Sequence, residues 1–392
     1  TFVTFVFALL SFLSIQDSQE LCRVKLLVQP GDGIKPLVKA IERAKSSIKI
    51  VIFRFDRLEI EKAVEDAVKR GVSVDALIAF TNRGGEKNLR KLELRFLDRG
   101  VTVARTADDL VRYHGKMMLV DEKELHLLAF NYTQIDIERS RSFGLITHEK
   151  ELVKEAAKLF DADSKRRKYR PASPRFIVSP LNARKELAKF IQGAKKELLI
   201  YDVKITDREM LKLLEDRARA GVEVRVIGKM ARHNSQIAVR KLQKLRLHTR
   251  TMVRDGKDVF MGSQSLRELE LDSRREIGVI FRDADIVKQV TKVFESDWKT
   301  GVVATGDEAD DIEKPPAAKV AKRVAKTVTK VLPPVAPVVE DIIKEIVPGE
   351  NGFSIDHEEV EESVKIAVKQ AVKQAVREAV EDIVEQQREP EA

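Results

Sequence analysis

An internal repeat is the sequence feature that most constrains the fold. A β-rich run at Val24, a helical segment, a strand, a helix that ends at a glycine and another strand return in the same order about 150 residues later, from Phe176. At this offset of 150 residues Gly71 aligns with Gly221. The second copy then lacks about 16 residues, after which equivalent positions are 134 residues apart. The alternation predicts an α/β protein with two similar lobes, each a mixed, mostly parallel sheet flanked by helices.

The repeat and changes in composition divide the chain into five segments. We predict an apolar N-terminal segment, a first lobe, a second lobe, a proline-rich linker with a basic amphipathic stretch, and an amphipathic helix, at residues 1–22, 24–165, 174–300, 301–357 and 358–388. The N-terminal segment is similar to the apolar region of an export signal, but no basic region precedes it. A fragment or a misassigned start is the alternative. We expect the last helix to serve self-association.

Charge is distributed unevenly along the chain. The net charge is +9, yet residues 1–300 hold 60 basic and 43 acidic side chains, and the remainder is acidic. Such a basic body predicts an anionic partner, which can be phospholipid, nucleic acid or a phosphate-bearing small molecule; solubility alone is the alternative. The single cysteine, Cys22, excludes an internal disulfide. We expect a cytoplasmic protein with peripheral membrane association, and an export signal remains the alternative.

Two histidines at equivalent positions of the repeat are the candidates for chemistry. His114 is followed two residues later by Lys116 and then by Asp121; the second copy has His248, Arg250 and Asp255 at the same spacing. On a strand, residues two apart face the same way, so each histidine projects together with a cation. Two such pairs facing each other would surround one phosphorus with two imidazoles and two positive charges.

This pattern resembles the signature of the phospholipase D superfamily, and the resemblance covers about residues 24–300. The family pattern continues with Gly-Ser-x-Asn. Gly262 and Ser263 keep its start in the second lobe, where Ser265 replaces the asparagine, while Asn131 keeps the asparagine in the first lobe. Further departures are Leu128-Ala129 in place of Gly-Ser, Arg250 in place of lysine, and Ser142 at the position that matches Glu276.

The resemblance implies a phosphohistidine mechanism without cofactor or metal. One histidine attacks phosphorus and the other handles the protons of the leaving and entering groups; we predict His114 as the nucleophile and His248 as the acid/base. In the family an acidic residue near Glu276 orients a catalytic histidine, and the sequence leaves open which one it serves. The predicted catalytic residues are His114, Lys116, Asp121, His248, Arg250, Asp255 and Glu276. The predicted substrate-binding residues are Asn131, Ser263, Ser265 and Tyr113, although Tyr113 beside His114 can equally pack in the core.

The sequence predicts ordinary structural roles for the other candidate residues. The remaining histidines, which we interpret as surface or strand residues, are His126, His148, His233 and His357. The glycine-rich loop at Thr81 to Gly85 lacks the lysine and hydroxyl residue of a nucleotide-binding loop, so a plain turn is predicted.

Three functions remain open at the level of sequence. The first is a phosphodiesterase or phosphatidyltransferase that acts on anionic phospholipid. The second is a nuclease of the same superfamily, which the basic body would serve equally well. The third is a phosphate-binding scaffold whose site has degenerated, because the two motifs are asymmetric. Fold and motif alone do not separate these substrates.

Overall fold

The computed structural model describes residues 24–80, 87–107, 110, 112–231 and 234–304. The predicted segment 1–22, nearly all of the linker at 301–357 and the helix at 358–388 lie outside this part of the chain. The loop from Thr81 to Gly85, His233 and His357 lie outside it as well.

Helices and strands alternate through the first half of each lobe and strands dominate the second half. The helices are α1 Lys35–Arg43, α2 Leu58–Lys69, α3 Lys87–Asp98, α4 Gln134–Glu138, α5 Lys150–Ser164, α6 Ala183–Gln192, α7 Arg208–Arg219, α8 Glu268–Asp272 and α9 Ala284–Thr300. The strands of lobe 1 are β1 Lys25–Gln29, β2 Ser47–Ile52, β3 Ser73–Ile78, β4 Thr102–Arg105, β5 Arg112–Tyr113, β6 Met117–Val120, β7 Glu124–Leu128 and β8 Ser140–Thr147. The strands of lobe 2 are β9 Phe176–Val178, β10 Glu197–Ile205, β11 Glu223–Met230, β12 Ile237–Lys241, β13 Arg246–Leu247, β14 Arg250–Arg254, β15 Asp258–Gly262, β16 Arg274–Arg275, β17 Ile277–Phe281 and β18 Val302–Val303. None of the helices described is long and apolar enough to cross a bilayer.

Each lobe is built on one mixed sheet, which confirms the predicted class. The strand order is β1-β8-β7-β6-β2-β3-β4 in lobe 1 and β18-β12-β11-β10-β14-β15-β17-β9 in lobe 2. The prediction of mostly parallel sheets is corrected, because only β2-β3-β4 and β10-β11-β12 pair in parallel within these orders. The described connections from β4 to β8 and from β12 to β17 contain no helix longer than five residues, and short turns join β6 to β7 and β14 to β15. Such connections produce antiparallel neighbours.

The sequence explains why α2 forms where it does. Ile60, Ala63, Val64 and Ala67 recur at helical spacing, and all of them are buried against the sheet. Gly71 follows the helix with φ +85°. Glycine adopts this left-handed conformation readily, whereas a residue that has a side chain is destabilised in it. Gly221 has φ +87° after the equivalent helix α7, so the two lobes end this helix by the same device.

The two sheets share one hydrophobic core between the lobes. On β2, Ile50 faces the helices of lobe 1, whereas Val51 faces this shared core; on β10, Ile200 faces the helices of lobe 2 and Tyr201 faces the shared core. The ring of Tyr201 meets Phe143 of lobe 1 at a centroid distance of 5.5 Å. Helices α5 and α9 also contribute apolar side chains to it. The lobes are therefore fused through their interiors.

Candidate active site

Two short ribbons pair the strand that precedes the histidine of each lobe with a strand of the other lobe. Strand β5 pairs in parallel with β16, and β13 pairs in parallel with β8. The amide of His114 donates to the carbonyl of Arg275 at 2.7 Å, and the amide of His248 donates to the carbonyl of Arg141 at 3.0 Å. The two ribbons are equivalent under the repeat offset of 134 residues. Each histidine is thus positioned by backbone of the opposite lobe.

His114 lies between an acid of lobe 2 and its own lysine. Its Nδ1 is 2.8 Å from Oε2 of Glu276, and its Nε2 is 2.8 Å from Nζ of Lys116. Glu276 is fully buried, so an Nδ1–H that donates to this carboxylate fixes the ring tautomer. Nε2 then carries the lone pair and accepts from the ammonium. Glu276 therefore serves His114, which answers the question that the sequence left open.

His248 has a different acid, Asp136 of lobe 1, which lies in the first turn of the short helix α4. Its Nδ1 is 3.4 Å from Oδ2 of Asp136. The same oxygen accepts from the backbone and side-chain amides of Asn131 at 2.8 and 2.6 Å, and the other carboxylate oxygen contacts Arg246. Asp136 is 2% exposed. Both histidines thus face a buried carboxylate from the opposite lobe, but the two carboxylates occupy different positions of the repeat.

Burial and mutual repulsion set the charges of this cluster. Desolvation is the main cause that lowers the pKa of His114 and of His248 well below the usual range, and Lys116 and Arg250 lower both further. Desolvation also lowers the pKa of Lys116 to about 7 and raises that of Glu276. The charges of both lobes act on each histidine, so the structure brings His114, Lys116, His248, Arg250 and Glu276 into one electrostatic site.

Arg250 is held by residues of its own lobe. Its Nε donates to Oγ of Ser265 at 3.0 Å, and its Nη1 donates to the carbonyl of His248 at 3.1 Å. Nη2 lies 3.9 Å from Glu270, the repeat equivalent of Asp136. Arg274 donates to the same carboxylate at 3.0 Å. Ser265 therefore orients the guanidinium where the family pattern has asparagine.

Asp121 and Asp255, which the sequence predicts as catalytic residues, have structural contacts at a turn of their own lobe. The carboxylate of Asp121 accepts from the amides of Lys45, Ser46 and Ser47 at 2.7 to 3.1 Å. Asp255 accepts in the same way from the amides of residues 195–197. The four residues of β6 carry the chain about 13 Å away from Lys116. Each aspartate instead holds the turn that precedes a central strand.

The predicted substrate-binding residues have mostly internal partners. Asn131 holds Asp136, and the hydroxyl of Ser263 accepts from the amide of Ile277 at 3.1 Å. Tyr113 is 7% exposed and belongs to the shared core, so it packs as well as lining a cavity described below. His126 and His148 both contact Glu124 and are not part of this site. Within the described residues no cluster of three or more His, Cys, Asp or Glu side chains is arranged to hold a metal.

Sequence reasoning missed four residues that complete the site. These are Asp136, Glu270, Arg246 and Arg274, all of which contact the residues just described. A signal was present, because Asp136 and Glu270 each lie 22 residues after the histidine of their lobe. An acid that recurs at an equivalent position of a repeat can be found by the same alignment as the histidines.

Known proteins resemble this chain in sequence and fold. A family model described as "Cardiolipin synthase, PLD-like domain" matches residues 37–164 and 187–298. The mitochondrial cardiolipin hydrolase of Danio rerio is 29% identical over 134 residues, which is 32% of this chain and 56% of that protein. The chain thus spans just over half the length of this curated relative.

Solved structures share the fold at low identity. Polyphosphate kinase from Porphyromonas gingivalis is similar with a TM-score of 0.63 and 18% identity, over 74% of this chain and 50% of that one. Phosphatidylserine synthase from Haemophilus influenzae is similar with a TM-score of 0.59 and 12% identity, over 78% of this chain and 93% of that one. The family model covers more than half of the chain, and together with the two-lobed fold it shows that the chain belongs to the phospholipase D superfamily.

Proposed function

We propose that this chain is a phosphodiesterase or phosphatidyltransferase that acts on phospholipids through a phosphohistidine at His114. The superfamily consists of phosphodiesterases and transferases that process phospholipid or nucleic acid, and the proposal names the substrate and the step. The observation that carries it is the pair of crossed contacts, His114 with Glu276 and His248 with Asp136. These contacts give the two imidazoles different surroundings and hence different roles.

His114 is the nucleophile. Burial keeps its pKa low, so the ring is neutral near pH 7, and Glu276 holds the tautomer in which Nε2 carries the lone pair. Nε2 attacks phosphorus and forms an N–P bond while the bond from phosphorus to the leaving oxygen breaks. A positive charge develops on the ring, and the Glu276 carboxylate stabilises it.

His248 supplies the proton to the leaving oxygen. Burial and Arg250 lower its pKa. The negative charge of a bound phosphodiester acts in the opposite direction and favours the protonated ring. After the first step His248 is neutral. It then takes a proton from water or from an acceptor alcohol, whose oxygen attacks phosphorus and breaks the N–P bond.

Lys116 and Arg250 neutralise the phosphoryl oxygens. The Lys116 ammonium lies with its Nζ 2.8 Å from Nε2 of His114. A phosphate oxygen attracts this ammonium more strongly than a neutral nitrogen does, so substrate binding frees Nε2 for attack. Arg250 is fixed by Ser265 and by the carbonyl of His248, which prepares it for the developing charge.

Three observations support phospholipid as the substrate. The matching family model carries the name of cardiolipin synthase, the curated relative is named a cardiolipin hydrolase, and the body of the chain is strongly basic. The basic body equally favours a nuclease, which is the second candidate. The hydrogen bond between His114 and the buried Glu276, together with the buried Asp136 beside His248, argues against a degenerate scaffold.

The test is to trap the intermediate. Wild-type protein, His114→Ala, His248→Ala and the control His148→Ala are incubated with anionic liposomes, with single- and double-stranded DNA, and with an aryl phosphodiester. We expect an acid-labile phosphate on His114 to accumulate in His248→Ala with the aryl ester, because this leaving group needs no general acid. His114→Ala should form none, and His148→Ala should behave as wild type.

Three results would overturn the proposal. Label on His248 in the His114 variant would reverse the two roles. Cleavage of DNA without cleavage of liposomes would favour the nuclease, and absence of label and turnover on every substrate would favour the scaffold.

A further inference from the structure

A cavity of about 580 Å³ lies beside the active site, and neither His114 nor His248 belongs to its described lining. Its wall includes Tyr113, Tyr169 and Leu181, together with the ion pair of Arg275 with Asp163. A volume of this size is typical of small-ligand sites, which range over about 300–1,000 Å³. In the described lining, no residue has a role in the proposed mechanism.

The cavity and the catalytic histidines lie on opposite faces of the β5–β16 ribbon. Paired residues of adjacent strands share a face and successive residues alternate. Tyr113 pairs with Arg275, and both line the cavity. The next residues along the two strands, His114 and Glu276, contact each other on the other face. Arg274 contacts Glu270 on the catalytic side, in agreement with this alternation.

A run of basic residues forms the rim of the cavity. Arg166, Arg167, Lys168 and Arg170 line it, and all four are exposed. Among the residues that the structure describes, none of these four forms an ion pair with an acid. The sole carboxylate that we find in the described lining, Asp163, is already paired with Arg275. Four cations around one opening, with no acid paired to them in the described part of the chain, attract an anion.

Beside the Arg275–Asp163 ion pair, the wall behind this rim presents apolar side chains. Leu181 is 46% exposed, and beneath it Tyr113 and Tyr169 are each 7% exposed. The hydroxyl of Tyr169 donates to Glu155 at 2.8 Å, so its polar end is satisfied within the protein. Neither tyrosine offers an exposed ring on which a nucleic-acid base could stack. A charged rim in front of an apolar wall matches an amphiphile, with an anionic head and an apolar body, better than it matches a phosphate chain.

We propose that the cavity between the Arg166–Arg170 segment and the β5–β16 ribbon binds an anionic phospholipid as a second, non-catalytic lipid site. The headgroup phosphate binds the basic rim, and the start of the acyl region packs on Leu181 and the wall behind it. The bound lipid holds the protein on an anionic bilayer, one ribbon away from the catalytic histidines. This binding requires no turnover, so the site can exist whether or not the proposed reaction takes place.

Vesicle binding tests the basic rim. Full-length His114→Ala protein, which cannot consume the lipid by the proposed route, is sedimented with vesicles of phosphatidylcholine alone or mixed with phosphatidylglycerol. Reversal of charge at Arg166, Arg167 and Lys168 to Glu should weaken binding to the anionic vesicles by at least about 100-fold, since each basic residue near an anionic surface contributes about fivefold or more. The matched control reverses Lys185, Lys212 and Lys292, which are exposed, lie in lobe 2 and do not line the cavity. Equal losses in both variants would mean a non-specific charge effect and would overturn the proposal.

A soluble lipid tests the apolar wall. Short-chain phosphatidylglycerol below its micelle concentration and inorganic phosphate are titrated by calorimetry into the same protein and into a Leu181→Asp variant. We expect the lipid to bind more tightly than phosphate and Leu181→Asp to lose this advantage, whereas Leu94→Asp, a control at another exposed leucine, should keep it. Equal affinity for phosphate and lipid would overturn the proposal in favour of a free-phosphate site.

Binding of single-stranded DNA to the variant in which Arg166, Arg167 and Lys168 are changed to Glu tests the alternative ligand. Loss of DNA binding without loss of vesicle binding in this variant would overturn the proposal in favour of nucleic acid.

Discussion

At the scale of single residues, the two histidines that we propose as catalytic differ in how their acids are supplied. His114 has the acid that the family pattern predicts, Glu276, whereas the equivalent position in lobe 1 is Ser142, which carries no charge. Asp136 provides the missing carboxylate for His248 from a position six residues earlier. Asn131 hydrogen-bonds this carboxylate and thereby keeps it oriented. The asymmetry that looked like degeneration in the sequence is therefore compensated in three dimensions.

Asp136→Asn tests this compensation. Without the charge, the imidazolium of His248 loses its partner, so turnover of a lipid with an alkoxide leaving group should fall about 10²–10³-fold. An aryl phosphodiester needs little proton donation and should lose much less. Glu270→Gln at the equivalent position contacts arginines and not a histidine, so it should affect both substrates alike. A similar loss on both substrates in Asp136→Asn would indicate a merely structural role for Asp136.

Lys116 predicts an alkaline limit to activity. Burial lowers its pKa to about 7, so the side chain is charged below that pH and becomes neutral above it. Because phosphate binding needs the charge, kcat/KM should fall as pH rises through about 7. Lys116→Arg should move this limb upward by several pH units, since guanidinium stays charged; Arg250 already occupies the equivalent position in lobe 2. An unchanged alkaline limb in Lys116→Arg would assign it to another group.

At the scale of elements, the turn before each central strand is held by one aspartate. Although burial acts to raise its pKa, the amides of Ser47, Ser46 and Lys45 lower that of Asp121 to about 2. Asp255 has the same arrangement in lobe 2, and its pKa is also lowered. A carboxylate with a depressed pKa contributes stability above the ordinary value near 3.9, and this contribution is lost as pH falls through about 2.

Asp121→Asn should therefore reduce the free energy of unfolding by about 1–3 kcal/mol at pH 7 and leave kcat unchanged. The variant should also lose less stability than wild type when pH falls from 4 to 2, because it has no carboxylate to protonate there. Denaturant titrations at several pH values measure both effects, and Asp255→Asn is the matched variant in lobe 2. A loss of kcat without a loss of stability would return these aspartates to the reaction.

The same elements show which part of the molecule the sequence could predict. Strand and helix order followed from the repeat, since periodicity reports local burial. The roles of Asp121 and Asp255 could not be predicted in this way. A motif gives only the spacing of residues along the chain, whereas the function of a residue depends on where its strand places it in space. The acid that serves each histidine also depends on the crossed ribbons β5–β16 and β13–β8. Nothing in the sequence of one lobe encodes this pairing by itself.

At the scale of the whole molecule, the lobes are joined by two equivalent ion pairs and by the shared core. Arg141 of lobe 1 binds Asp297 of lobe 2 through Nε and Nη2 at 2.6 and 3.0 Å, and Arg275 of lobe 2 binds Asp163 of lobe 1 at 3.1 Å. The hydroxyl of Tyr201 also donates to Asp297 at 2.7 Å. His114 and His248 each lie beside an acid of the other lobe, so any loosening of this interface separates both pairs at once.

The two lobes should therefore unfold as one unit. Scanning calorimetry should show a single transition for residues 24–304 within the full chain, with calorimetric and van't Hoff enthalpies in agreement. Asp297→Asn removes the charge opposite Arg141 in a largely buried pair, so it should lower the free energy of unfolding by about 3–5 kcal/mol and move the whole transition down in temperature. Glu295→Gln breaks a more exposed pair with Arg225 within lobe 2 and should cost about 1 kcal/mol or less. If the lobes were independent domains, Asp297→Asn would split the transition and leave the lobe 1 part at its original temperature.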